Sequence, residues 1–342
     1  MAQGRLEVTG TIDLNQFWPK GSSDADTTKI VVATEPGAFR FLPNPIGNWQ
    51  STDAFQGAKV KGQHGTKDAI DKSGRITVRL QGIDAPELHY EPSAALPKKQ
   101  RSKKQDETFL KLNKDYRQHV AETATVKLSE FLHRAGSTPL PCTVVTAVDE
   151  PGEIFDVYGR FVGDIVIRVN GEELNVNTWL VHEGWAFPAF YNTMSDHEIK
   201  TLTDAANEAW GNDRGVWPHQ CDEVGALDWN LIYRRPSSHP VPDSAADQGP
   251  VILPKLFRRL STWAVNKKAG MVKGSFKSYL KSKADACHLT SDYIEQGASA
   301  AVIRYLEEFL DGDGFFSEWP EDLVFREQAS TVVGPDGKPV HW

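Results

Sequence analysis

Apolar and polar positions alternate most cleanly in GRITVRLQGI, residues 74–83, where Ile76, Val78 and Leu80 fall on one side and Thr77, Arg79 and Gln81 on the other. A period of two marks a strand with one buried face, so Arg79 points away from the buried side of its own strand. LEVTGTIDLN, TKIVVAT, PCTVVTAV and GRFVGDIVIRV are rich in β-branched residues and predict further strands, and VNGEE has the composition of a hairpin turn. The period then changes. Tyr116, Val120, Ala124, Leu128, Phe131 and Leu132 recur at helical spacing up to Gly136, a residue that suits a helix stop. EELNVNTWLVHEG predicts a strand running into a short helix. In SDHEIKTLTDAANEAW, Ser195 stands three residues before Glu198, a capping box, ahead of the stripe Ile199, Leu202, Ala206, Ala209 and Trp210. Leu253, Leu256, Phe257, Leu260, Trp263 and Ala264 outline another amphipathic helix, and residues 291–310 a further one.

Two stretches lack either period. Residues 35–74, rich in Gly, Pro, Asn and Gln, read as a long connection or insertion, and RRPSSHPVPDSAADQGP, residues 234–250, has the polar, proline-rich composition of a linker. A chain of 342 residues is long enough for about two domains. The expected division is a first domain over 1–223, a linker over 224–254 and a mainly helical second domain over 255–342, a possible docking module for nucleic acid or a protein partner. The DGDG at 311–314 lacks the glycine and glutamate spacing of a calcium-binding loop and reads as a turn.

No run of about 18 apolar residues predicts a membrane helix, and the N-terminus lacks the basic start and apolar stretch of a secretory signal. Cys142, Cys221 and Cys287 lie far apart without a C-x-x-C pair, against both a disulfide framework and a zinc site. A cytoplasmic protein is expected. The net charge of −8 would disfavour nucleic acid if it were evenly spread, but residues 98–117 carry eight Lys/Arg against three acids, and residues 251–284 carry nine against none.

The chemistry concentrates in RLQGIDAPELHY, residues 79–90. Hydrolysis of a phosphodiester needs a base for water, cations for the phosphate and usually a metal ion. Arg79 offers a clamp, Asp84 a ligand for a hard cation and Glu87 a base, while Pro86 stiffens the turn between the two acids. Taken alone, such a cluster is more often a solvated group of ion pairs.

R-x-x-x-x-D-x-P-E, followed far downstream by DVYGR at 156–160 and then by LNVNTWLVHEGWAF and the helix after it, resembles staphylococcal nuclease and its thermonuclease-like relatives over residues 8–219. The resemblance implies an α+β chain built on an OB-fold, a five-stranded β-barrel with packed helices, with the helical C-terminal part added. It implies a calcium-dependent nuclease acting on DNA and/or RNA, with single strands preferred. By motif, Glu87 is the general base, Arg79 and Arg160 hold the phosphate, and Asp26, Asp84 and the carbonyl of Ala85 bind Ca2+. Phe190 or Tyr191 in FPAFYN would stack on a base. Ala25 replaces the glycine usual in the D-G-D-T motif, and the connections before Arg75 and after Glu87 are longer than in small relatives. The alternative is a noncatalytic nucleic-acid-binding or scaffold protein that retains the barrel.

Overall fold

The computed structural model describes residues 4–16, 23–43, 47–63, 65–233, 247–326 and 330–342. Five strands close on themselves: Arg5–Ile12, Thr27–Val32, Arg75–Leu80, Leu140–Ala147 and Phe161–Val169. The first pairs antiparallel with the second, which pairs antiparallel with Arg75–Leu80. Phe161–Val169 lies parallel to Arg75–Leu80, with Phe161 opposite Val78, and antiparallel to Leu140–Ala147. Arg5 opposite Ala147 through Ile12 opposite Leu140 completes the ring. This closed mixed barrel is OB-like, and the chain is α+β.

The inward positions are those the alternation assigns. Leu6, Val8, Ile30, Ile76, Val78, Val144, Phe161 and Ile165 are all 2% exposed or less. Each such side chain contributes about 2 kcal/mol by leaving water. Seven α-helices lie among the described residues: α1 (Lys103–Leu112), α2 (Ala121–Ala135), α3 (Val176–His182), α4 (Asp196–Gly211), α5 (Pro254–Lys268), α6 (Phe276–Lys283) and α7 (Thr290–Gln296). Helix α2 buries Ala124, Leu128 and Leu132 against the barrel core, and α4, capped by Ser195 and Glu198, buries Ile199, Ala206 and Ala209 there.

A second apolar cluster gathers Leu256, Phe257 and Leu260 of α5 with Phe109 of α1, Tyr116, Leu280, Leu306 and Phe325. The C-terminal residues also pair directly with earlier ones. Leu323–Phe325 runs parallel to Phe190–Tyr191 and antiparallel to Ala286–Leu289, which pairs with Arg304–Tyr305. Thr331–Val333 adds to the hairpin formed by Lys59–Gly62 and Gly65–Asp68.

One expectation changes here, and two stretches gain detail. Residues 291–310 are not one helix: α7 stops at Gly297, where φ is +78°, and a short strand and a 3-10 turn follow. The aperiodic 35–74 stretch holds short strands that depend on partners far along the chain. The basic stretch at 98–117 includes α1, nucleated by a Ser102–Gln105 capping box. Residues 234–246 of the expected linker lie outside the described residues. Among the described residues no helix is long and apolar enough to cross a membrane.

Candidate active site

Strand Arg75–Leu80 delivers Arg79 to its end, and the chain then turns at Gly82, where φ is +73°. A Cβ there would sit 2.6 Å from Leu202 Cδ1 and 2.7 Å from Met194 Cε, so glycine is required by both backbone and space. Ile83–Asp84 then pairs with Phe187–Pro188, which fixes where Asp84 projects. Asp26 reaches the same place from the neighbouring strand: its carbonyl accepts from Leu80 N–H at 2.8 Å, and Thr27 lies opposite Arg79.

The side chains converge. Asp26 Oδ2 accepts from Ala85 N–H at 2.9 Å and is bonded by Nη1 of Arg79, while Nη2 of Arg79 donates to Asp84 Oδ1 at 2.8 Å. Arg79 does leave the barrel core, yet it is only 7% exposed, as the corner is roofed over. Arg160 enters from the DVYGR turn. Asp156 Oδ1 accepts from the N–H groups of Tyr158 and Arg160, both at 2.9 Å, and Asp156 Oδ2 accepts from Arg160 Nε at 2.7 Å. Held this way, Nη1 of Arg160 reaches Thr27 Oγ1 at 3.3 Å, beside Asp26.

A residue that sequence reasoning missed forms the roof. Arg258 of α5 donates from Nη2 to Asp84 Oδ2 at 2.9 Å, from Nη1 to Asp84 Oδ1 at 3.1 Å, and also from Nη1 to Glu87 Oε1. Gln118, 1% exposed, ties the same parts together: it accepts from Glu87 N–H at 3.0 Å and donates to the Ile252 carbonyl at 2.8 Å. Asp24 accepts from Leu88 N–H at 3.1 Å, so four carboxylates crowd this corner. The acid-free composition of residues 251–284 was a signal of basic surface, but nothing local told which cation meets which acid.

The electrostatics follow from that crowding. Burial pushes the Glu87 carboxyl up to about 8, with Asp24, Asp84 and Asp26 adding to the rise and Arg258 opposing it. Burial, then the neighbouring Asp26, raises Asp24 to about 6. Burial would raise Asp84 too, but Arg258 and Arg79 outweigh it and hold that carboxyl down at about 2. Burial also works against the charge of Arg79, yet Asp26 and Asp84 more than offset it and raise its pKa.

Tyr191, partly buried with its ring 6.3 Å from that of Phe325, lies close enough to Arg79 to act on its charge. Phe190, expected to stack on a base, is instead a core residue: it is 0% exposed and leaves no ring face for a ligand. Its neighbour Val324 in the short sheet closes it in. The strand alternation explains the difference, since adjacent residues point to opposite sides.

The donor chemistry suits a hard dication. Asp26 and Asp84 supply carboxylate oxygens, and Asp24, Asp26, Asp84 and Glu87 together carry more negative charge than Arg79 and Arg258 balance. The arrangement, however, has guanidinium groups on those oxygens. Among the described residues no three His, Cys, Asp or Glu side chains are gathered tightly enough to hold a metal ion.

The family described as staphylococcal nuclease homologue matches residues 77–219. That span takes in Arg79, Asp84, Glu87 and Arg160 and stops short of α5. No curated protein matches the chain.

Proposed function

We propose, from the staphylococcal nuclease homologue domain at residues 77–219, that this chain is a nuclease hydrolysing phosphodiester bonds of DNA and/or RNA. The observation that carries the reading is the meeting of Asp26 with Arg79, Asp84 and Glu87 of the 79–90 segment in one largely buried corner at the barrel's rim. Glu87 takes the proton from the attacking water, a role for which a carboxyl raised toward the working pH is suited and which is typically worth about 10²- to 10⁴-fold in rate. Arg79 and Arg160 grip the phosphate and oppose the charge that grows on it, with Asp156 aiming Arg160. Asp26, Asp84 and the carbonyl of Ala85 would hold a calcium ion, which when bound supplies further positive charge against the phosphate oxygens. A single strand suits the site, because a duplex would not bring its backbone to so recessed a corner, and Tyr191 offers a ring beside Arg79. The three free cysteines support a reducing compartment, the cytoplasm.

The bonding of Glu87 and Asp84 to Arg258 favours a second reading, a protein that binds nucleic acid through the barrel without cutting it. Incubating the full chain with single-stranded DNA and with RNA, in calcium or in chelator, separates the two. Ion-dependent cleavage supports the nuclease, whereas retention of intact strands moves the assignment to the binder.

A further inference from the structure

Helix α5 has two faces with different tasks. Leu256, Phe257 and Leu260 enter the second apolar cluster. Arg258, Thr262 and Asn266, spaced four apart and so on one stripe, all bond to the loop that carries Glu87. Thr262 Oγ1 meets Tyr90 Oη at 2.8 Å, and Asn266 donates to the Ser93 carbonyl at 2.9 Å and accepts from Ala95 N–H at 2.7 Å. Thr262 and Asn266 are 8% and 0% exposed, so their bonds seat the helix permanently. Arg258 differs, because its side chain is 28% exposed and ends on carboxylates that the proposed reaction needs for other purposes. Its neighbour Arg259 is satisfied elsewhere, by Asp285 at 2.6 Å and 2.7 Å, and Lys255 lies over the ring of Phe325.

Counting oxygen lone pairs shows the conflict. Asp84 accepts three N–H bonds, one from Arg79 and two from Arg258, out of roughly four sites that a carboxylate offers. Asp26 accepts from Ala85, Arg79 and Thr27. A dication sharing Asp84 would lie beside the guanidinium groups of both Arg79 and Arg258, and like charges in a buried corner repel strongly; of the two, Arg79 is enclosed at 9% side-chain exposure, whereas Arg258, at 28%, is the one with room to leave. Ion and guanidinium therefore exclude one another. A displaced Arg258, tethered to a seated helix at the rim, has an anion to go to when a nucleic-acid phosphate enters.

We propose that Arg258 is an exchangeable third phosphate clamp, parked on Asp84 and Glu87 in the free protein and transferred to the substrate's backbone phosphate when a divalent ion takes the carboxylates. This rests on the metal-assisted reading of the same corner. It implies effects of opposite sign on ion and on nucleic acid.

The test is calorimetric titration of the full chain with calcium alone, comparing wild type with Arg258→Gln and with Arg168→Gln, an exposed arginine on the barrel as charge control. Arg258→Gln should bind calcium about tenfold more tightly, and Arg168→Gln as wild type does. Where Arg258→Gln does not fold, Arg258→Lys decides, since an ammonium is a single nitrogen without the planar fork that meets both oxygens of Asp84, and a several-fold gain is expected. The second measurement is affinity for a single-stranded oligothymidylate in calcium, on the Glu87→Gln background to prevent cutting. Adding Arg258→Gln there should weaken binding about tenfold. Equal calcium affinity in wild type and variants overturns the exchange alone, and unchanged oligonucleotide affinity overturns the transfer to phosphate. No calcium binding by any of the proteins overturns the metal reading and the exchange with it.

Discussion

The backbone N–H of Ala85 donates to Oδ2 of Asp26 at 2.9 Å, a bond that joins positions 59 residues apart. It locks the Asp84–Glu87 turn to the end of the neighbouring strand, and the same oxygen holds Arg79. One carboxylate thus positions the cation, the turn and through it the proposed base. Asp26→Ala leaves Arg79 short of a partner in a buried place, a loss of the kind that costs about 3 kcal/mol or more. The urea midpoint should fall accordingly, and cleavage should vanish in the fraction that folds. Full cleavage by a folded Asp26→Ala protein would remove Asp26 from the site.

Glu87→Gln keeps the shape of the side chain and removes the base. Cleavage should drop by about 10²-fold or more while single-strand binding persists. The pH dependence has a definite sign. Cleavage by the wild type should rise as Glu87 ionises, through about pH 8. Stability moves the other way: the folded carboxyl, raised from 4.5, contributes stability that is full below pH 4.5 and lost as pH rises through about 8. Relative to wild type, Glu87→Gln should gain on the order of a few kcal/mol between pH 5 and pH 9. Parallel melting curves for the two proteins across that range would sink the assignment.

Much of this was legible because the information is local. The period of two in GRITVRLQGI gives both the strand and the outward course of Arg79, and the DVYGR turn is encoded by Asp156 and by Gly159, where φ is +74°. The resemblance pointed to what local patterning cannot, that Asp26 and Arg160 approach the same end of the barrel; Asp26 bonds the Asp84 turn through Ala85, and Arg160 bonds Thr27 beside Asp26. Phe190 was misjudged because neither composition nor motif tells which of two adjacent aromatic residues faces inward. Arg258 was missed for a deeper reason: its partners lie 171 and 174 residues away, and an arginine on an amphipathic helix looks the same whether it meets water or a buried acid. The match to residues 77–219 ends before it, so no motif covers it either.

Asp156 acts on the site through Arg160. Its two oxygens accept three bonds from the turn, and Nε of Arg160 is among the donors. Asp156→Ala should lower the turn's stability by about 1–3 kcal/mol and let the guanidinium wander from Thr27. The expected signature is a fall in kcat/KM that Asp156→Asn partly restores, since an amide oxygen still accepts from the backbone. An Asp156→Ala protein with wild-type kcat/KM would show that Arg160 needs no such aiming.

Asn177, 1% exposed, holds the strand that carries Arg79 against its parallel neighbour. Its Nδ2 donates to the Gln81 carbonyl at 2.9 Å and to Asp164 Oδ1 at 2.7 Å, while its Oδ1 accepts from Ile165 N–H at 3.2 Å. The Gln81 carbonyl lies between Arg79 and the Gly82 turn, where the strand leaves the barrel for the site. Truncation to alanine strands a buried carbonyl and a buried N–H, each worth about 1–3 kcal/mol when unsatisfied, so Asn177→Ala should lose about 3 kcal/mol in denaturant unfolding. Asp164 adds a pH dependence, because burial raises its carboxyl to about 7 against the opposing bond from Asn175. Asn177 donates to that carboxylate only when it is ionised or turned to accept, so the deficit of Asn177→Ala should grow from pH 5 to pH 8. A loss below about 1 kcal/mol at both pH values would mean that the end of the Arg79 strand is held by its ladder alone.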